Sequence, residues 1–259
     1  MFEYAPAPES TKVVDIKTAY NLFIDGQFVA PQSGEFMPTI NPATEEVLSH
    51  VAVAGEVDVD LAVMAARRAF HKWSQISGSE RAKYLYRIAR ILQERAREFA
   101  VLETLNNGKP IKETRDFDIP QVAAHFFHHA GWADKLAYAG YGANPQPIGV
   151  AGQIIAPALA CGNTVVWKPA ETTPLTALLF AEVCQQADLP PGVVNIVTGA
   201  GATGASVVKH PGTDKIAFTG STAVGKYIAD AIAGTHKRLT LELGGKGANL
   251  VFEDAAVDQ

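Results

Sequence analysis

Three groups of residues in this chain have types and spacings that could do chemistry. The first is in residues 239–249, LTLELGGKGAN, where the carboxylate of Glu242 falls among Leu239, Leu241 and Leu243 and precedes Gly244, Gly245 and Lys246. An acid in an apolar run is either a structural oddity or a working group. The second is TVVWKPAETTP, residues 164–174. There a strand would deliver Lys168 and Glu171 to its carboxyl end, where the pair could hydrogen-bond a ribose, the carboxylate favouring an unphosphorylated 2′-hydroxyl. A solvent-exposed loop ion pair fits those two residues equally well. The third is FTGSTAVG, residues 218–225. Gly220 would turn the chain and Ser221 would open a helix whose first backbone N–H groups suit a pyrophosphate. An ordinary glycine turn with a serine cap looks the same and is common.

Weaker signals accompany these. Gly199, Gly201 and Gly204 spell G-x-G-x-x-G, but the usual fingerprint needs an acid about 20 residues further on. Asp214 lies only ten beyond Gly204. His125, His128 and His129 have the helical spacing of zinc ligands, yet no neighbouring cysteine or carboxylate completes a set. They read better as a helix face beside Phe126 and Phe127. Cys161 and Cys184 sit in small apolar surroundings and read as inert thiols.

Elements must place these groups. A chain of 259 residues with 47% hydrophobic content can bury a large core. The net charge of −5 and the scattered Lys and Arg argue against nucleic acid. Two cysteines suit a reducing, cytoplasmic setting, and the polar start shows no signal peptide. Residues 148–167 carry no charge, but Gln153, Pro157, Asn163 and three glycines make them buried sheet rather than membrane span. Residues 1–20 read as a loose tail. LFIDGQFV then signals a hairpin around Asp25-Gly26, and a second extended pair follows. Helices are expected over 56–72, over one long stretch introduced by Ser77 and Glu80 and stopped by Gly108, and over 118–132.

From residue 148 the rhythm becomes strand–helix alternation. Strands are expected at 149–155, 164–167, 193–197, 215–218 and 239–243. Helices fill 174–186, with Thr173 as cap, and then 203–209 and 222–233. This implies an α/β fold with a Rossmann-like parallel sheet covered on both faces, preceded by N-terminal hairpins and helices. One connection is anomalous. Only eight residues, 156–163, separate the first two strands, whereas a parallel crossover normally needs a dozen or more. Either the two strands do not share one parallel sheet or a piece is missing.

Taken in order, LFIDGQFV, INPATEEVLSHV, GWADK, GVAGQII, APALACGNTVVWKPAETTPLTAL, PPGVVNIVTGAG, DKIAFTGSTAVGK and LTLELGGKGAN resemble the NAD(P)-dependent aldehyde dehydrogenases from about Asn21 onward. In that family a thiolate attacks an aldehyde, hydride passes to nicotinamide, and a glutamate activates water to hydrolyse the thioester. The resemblance assigns that glutamate to Glu242 and the adenosine-ribose contacts to Lys168 and Glu171. It assigns the pyrophosphate neighbourhood to Gly220 and Ser221, and the adenosine side to Gly201 and Gly204. It implies NAD as cofactor, with NADP possible, an aldehyde substrate and a homo-oligomer. It divides the chain into a tail (1–20), hairpins and helices (21–135), an oligomerisation-arm strand (136–147) and a Rossmann-like portion (148–259), with the catalytic domain absent.

The departures from the family pattern matter as much. After GQII the family carries a Pro-Trp-Asn-Phe-Pro segment and a helix, including an asparagine that helps hold the oxyanion. Here GQII runs straight into APAL. The family's nucleophilic cysteine lies beyond the glutamate, and Gln259 is reached first. Gly247 stands where serine or another small polar residue is usual. The resemblance therefore implies a reduced, internally deleted relative without dehydrogenase activity of its own. The alternatives are a non-catalytic dinucleotide-binding or subunit-interaction module, or an incomplete reading of a longer gene.

Overall fold

The structure, a computed structural model, describes residues 10–135, 150–248 and 250–252. The expected oligomerisation arm at 136–147 and the first nine residues of the expected tail lie outside this set. Two compact units emerge, Met1–Thr213 and Asp214–Gln259. The first opens with a 3-10 turn at Thr11–Val13, then β1 (Ala19–Tyr20), β2 (Leu22–Ile24), β3 (Gln27–Val29), β4 (Phe36–Ile40) and β5 (Val47–Ala52). Helices α1 (Glu56–Trp73), α2 (Gly78–Glu94), α3 (Ala96–Asn107) and α4 (Ile111–Glu113) follow. After a π-turn at Thr114–Asp118 come α5 (Ile119–Trp132) and α6 (Val150–Ala160). The unit ends with β6 (Val165–Trp167), α7 (Leu175–Gln186), β7 (Val194–Ile196) and α8 (Gly201–Lys209). The second unit is a single strand–helix–strand: β8 (Lys215–Gly220), α9 (Thr222–Ile232) and β9 (Arg238–Leu243).

The hairpin forms where Asp25-Gly26 places it. Both turn residues take left-handed backbone, φ 53° and 79°, which a two-residue turn between right-twisted strands requires. The Asn195 amide fastens it to the sheet, because its oxygen accepts from Asp25 N (3.0 Å) and its nitrogen donates to Gly192 O (2.8 Å). The second extended pair is β4–β5, closed by an Asx turn in which Asn41 Oδ1 accepts from Ala43 N. Part of the expected tail is ordered as well. Ala19 and Tyr20 pair parallel with β5, and Lys17 Nζ meets Glu182 at 2.8 Å.

The long helix expected after Ser77 is two helices. Ser77 caps the first as predicted, its hydroxyl accepting from Glu80 N. Arg95 then leaves helical geometry, with φ −97° and ψ 11°. Its guanidinium is held by Glu98 at 2.7 and 2.8 Å and by Glu182 at 2.9 Å. Charge-assisted bonds at the junction support the bend. Gly108 ends the second helix at φ 77°, as its position foretold.

The main correction concerns residues 149–155. The strand expected there does not form; the described part belongs to α6. The physical reason is visible in its burial. Ile155, Ala156, Leu159 and Ala160 are all buried, on one helical face, and α6 packs against α5 and α2. Its carboxyl end is closed by Arg81, whose Nε donates to Ala160 O at 2.9 Å, and by Gly162 at φ 81°. Pro157 lies inside the helix, where it removes one backbone bond. The eight-residue crossover thus disappears as a problem, since the described residues 150–155 form no first strand for it to join.

The sheets follow from this. In the doubly wound order 3-2-1-4-5 the first strand is central. Removing it leaves strands 3 and 2 as one pair and 4 and 5 as another. The parallel pairs observed are β7–β6 and β8–β9. In the first unit the hairpin extends the sheet from the far side of β7, antiparallel, giving the order β3-β2-β7-β6. The α/β class holds, with the parallel sheet in two parts. No helix among the described residues is long and apolar enough to cross a membrane.

The core of the first unit gathers Trp73, Leu85, Leu92, Leu102, Phe126, Leu159, Leu178 and Ile196. One buried polar residue is embedded in it. Asn106 donates to Thr39 Oγ1 (2.9 Å) and Thr172 O (3.1 Å), and accepts from Leu175 N (3.1 Å). It therefore caps α7 from another helix, where a Thr173 cap had been expected and no side chain of the segment itself does so. Asn106→Ala leaves the buried Leu175 N–H unpaired and is expected to cost about 1–3 kcal/mol. A urea melt that keeps its midpoint would contradict this.

Candidate functional site

At the carboxyl end of β6 the chain continues into Lys168, Pro169, Ala170 and Glu171. Lys168 turns its ammonium inward, donating to Pro169 O at 2.7 Å and Gly199 O at 3.0 Å, with Glu171 at 3.6 Å. Burial pushes this ammonium below the ordinary lysine range, and Glu171 opposes the shift. The carboxylate of Glu171 is more than half exposed. A pre-oriented ammonium beside a solvent-facing carboxylate is a donor–acceptor pair suited to vicinal hydroxyls.

The glycine-rich loop lies against the same lysine. Gly199 has φ 147°, and a Cβ there would sit 2.1 Å from Thr203 Oγ1, so no other residue fits without a shift. Thr203 is itself fixed, its hydroxyl donating to Ala54 O at 2.7 Å. Gly201 opens α8 with nothing nearby to demand glycine. At Gly204 an added Cβ would stand 3.5 Å from the Lys168 stem. Lys168, Glu171, Gly201 and Gly204 therefore share one neighbourhood in the first unit. Two signals read separately in the sequence join through the Gly199 carbonyl. Sequence reasoning missed that acceptor, and only the left-handed turn after β7 could have hinted at it.

Gly220, Ser221 and Glu242 belong to the second unit. Ser221 caps α9, its Oγ accepting from Val224 N at 3.3 Å. The hydroxyl is thereby engaged, and the groups left for an anion are the first backbone N–H groups of α9. A Cβ on Gly220 would lie 2.5 Å from the Phe218 ring, so glycine is set here by local packing. Strand alternation separates Glu242 from its leucines. Leu239 and Leu241 are half-buried while Glu242 is exposed, opposite Thr219 in the ladder. The apolar run is one face of β9 and the acid is on the other.

Neither thiol is activated. Burial raises Cys161, with Arg81 opposing, and raises Cys184 far more. The three helical histidines stack along α5, with ring centroids at 6.4 Å for His125–His129 and 5.1 Å for His128–His129. Among the described residues no three metal-binding side chains converge. Burial first, then the neighbouring His128 and His125, push His129 down to about 4.

That depression fixes a pH dependence. Between the ordinary value of 6.5 and about 4 the folded chain binds fewer protons at His129 than the unfolded chain. Its contribution to stability is complete above pH 6.5 and is lost as pH falls toward 4. Denaturant midpoints should drop over this window, and His129→Gln should flatten the drop. Identical slopes in the two proteins would contradict the assignment.

A profile of the aldehyde dehydrogenase family matches residues 28–259. The chain is 46% identical to the mitochondrial aldehyde dehydrogenase family 2 member B4 of Arabidopsis thaliana, over 92% of this chain and 49% of the relative. It is 42% identical to mouse retinal dehydrogenase 2, over 97% of this chain and 53% of the relative. Among solved structures, the NAD+ complex of a Bacillus cereus aldehyde dehydrogenase superposes with TM-score 0.83 at 39% identity, covering 92% of this chain and 53% of the other. Indole-3-acetaldehyde dehydrogenase in apo form gives TM-score 0.85 at 34% identity, covering 95% and 62%. The chain spans about half the length of the curated relatives it matches. The mouse alignment runs over 278 positions but uses 97% of 259 residues, so roughly 27 positions of it face gaps in this chain.

Proposed function

This chain belongs to the aldehyde dehydrogenase family, and we propose that it carries that family's dinucleotide-binding part. The whole protein's reaction is oxidation of an aldehyde to a carboxylic acid with NAD+ and water. The observation that carries the reading is Lys168, held between Pro169 O and Gly199 O beside Gly204 and the exposed Glu171. The donor set fits adenosine ribose in type. Lys168 and Glu171 bind its hydroxyls, Gly201 and Gly204 leave room for the adenosine side, and Gly220 with Ser221 opens an anion-binding helix start. Bound NAD+ would accept hydride. The chain's own residues orient the nucleotide, and Glu242 is the base for the hydrolytic water. Glu171 disfavours a 2′-phosphate, so NAD is preferred to NADP.

The nucleophile is neither of this chain's two cysteines, because burial raises the pKa of both and the thiolate is the reactive form. The oxyanion asparagine is also missing, and losing one such donor typically costs about 10²–10³ in rate. The chain therefore binds cofactor without oxidising aldehydes by itself. We assign residues 1–20 to a tail, 21–135 to supporting hairpins and helices, 136–147 to an oligomerisation arm and 148–259 to the Rossmann-like portion. We place the protein in the cytoplasm without nucleic-acid partners, on the strength of its two unbridged thiols and acidic charge; a homo-oligomer is what the family alone suggests.

Titration calorimetry with NAD+ should show binding, weakened roughly tenfold or more by Lys168→Ala through loss of charge-assisted bonds. No heat at millimolar NAD+ would reject cofactor binding. Incubation with simple aldehydes and NAD+ should give no NADH; steady NADH production would reject the non-catalytic reading.

A further inference from the structure

Two buried threonines and one buried carboxylate near the glycine-rich loop have no place in the nucleotide reading, yet all three lead to Lys168. Thr198 and Thr203 stand on either side of Gly199, and residues 52–54, where β5 runs toward α1, hold both of them. Thr198 O accepts from Ala54 N at 2.9 Å, and the Thr198 hydroxyl donates to Ala52 O. From the first turn of α8, Thr203 donates to Ala54 O at 2.7 Å. Asp58 anchors that stretch in turn, its carboxylate accepting from Gly55 N at 2.9 Å and from Gln32 N at 3.0 Å.

Gly199 is thereby gripped from both sides. Its neighbour Thr198 is pinned, and its Cα faces the Thr203 side chain so closely that an added Cβ would fall 2.9 Å from Thr203 Cβ. With the peptide so placed, Gly199 O accepts from the Lys168 ammonium at 3.0 Å, while Pro169 O accepts from it at 2.7 Å. An ammonium has three N–H bonds. The two carbonyls take two of them, and tetrahedral geometry then fixes the direction of the third.

We propose that Thr203 is a positioning residue: its bond to Ala54 O sets the Gly199 carbonyl, and that carbonyl aims the Lys168 ammonium. The consequence rests on the nucleotide reading, in which the aimed N–H is the one offered to the ribose. Glu171 does not fix the lysine by itself. Its carboxylate is more than half exposed and 3.6 Å away, and an ion pair of that kind holds a long side chain weakly. A peptide carbonyl held by buried bonds to residues 52–54 is a firmer partner. A donor set in advance spares the entropy of ordering the lysine when a ligand arrives.

The placement of Lys168 can be read without nucleotide, by acetylation with an N-hydroxysuccinimide ester followed site by site by mass spectrometry. Thr203→Val keeps the branched shape and deletes the hydroxyl, and it should speed acetylation of Lys168. Thr203→Ser should restore the native rate. Lys109, ion-paired with Asp118, should keep its rate in all three proteins. An unchanged Lys168 rate in Thr203→Val, or a Lys109 rate that rises with it, would overturn the proposal. Calorimetry with NAD+ reads the consequence: Thr203→Val should raise Kd about three- to tenfold and should add nothing to Lys168→Ala. Losses that multiply in the double variant would overturn the route through Lys168. A native chain that gives no heat with NAD+ would reject the nucleotide reading alone, because the acetylation rates decide the Thr203 contact independently.

Discussion

Ile155, Ala156, Leu159 and Ala160 bury one helical face against α2 and α5, and the form of the sheet depends on that packing. The same apolar residues could have lined a central strand. A strand there would need pairing on both edges and a return connection of a dozen or more residues, and only 156–163 are available. A helix satisfies its backbone within itself and needs only a face to lie on. The helical choice also gains Arg81, whose guanidinium closes the carboxyl end at Ala160 O. Hydrophobic burial is kept and the sheet loses its middle.

Two strand–helix–strand units survive that loss. β8–α9–β9 packs mainly within itself, whereas β6–α7–β7 also leans on α1, α2, α3 and the hairpin strand β2. α7 is buried along nearly its whole length, and Gly225 lets α9 approach Leu243 closely enough that a Cβ would lie 2.5 Å from Leu243 Cδ2. The antiparallel hairpin then takes the other edge of β7, through Phe23 and Ile196. β7 becomes an interior strand by this route, and among the described residues β6 lies at the end of the sheet.

The sequence disclosed what depends on neighbours in the chain. Asp25-Gly26, Ser77 and Gly108 act within a few residues, and each does in the structure what its chemistry requires. The strand termini at β6 to β9 fall within about two residues of expectation. Less legible was anything decided by distant partners. The break at Arg95 rests partly on Glu182, 87 residues away, and the α7 cap comes from Asn106, 69 residues away. The apolar run at 150–160 was ambiguous in principle, since short apolar stretches suit strand and buried helix alike. The eight-residue crossover marks the conflict, because it is too short to join two parallel strands, and a helix over 150–160 removes it.

For the candidate site the same division applies. KPAE and the glycine triplet were visible as separate motifs, and their meeting through Lys168 and Gly199 O required the fold. Glu242 shows the converse. Its apolar neighbours suggested a desolvated acid, yet a period of two puts alternate residues on opposite faces. With α9 packed on the leucine side of β8–β9, the carboxylate is on the exposed side, opposite Thr219 in the ladder. Any surface that covers Glu242 must come from outside the strand–helix–strand unit, because strand alternation turns this acid away from the one helix that the unit packs on β9.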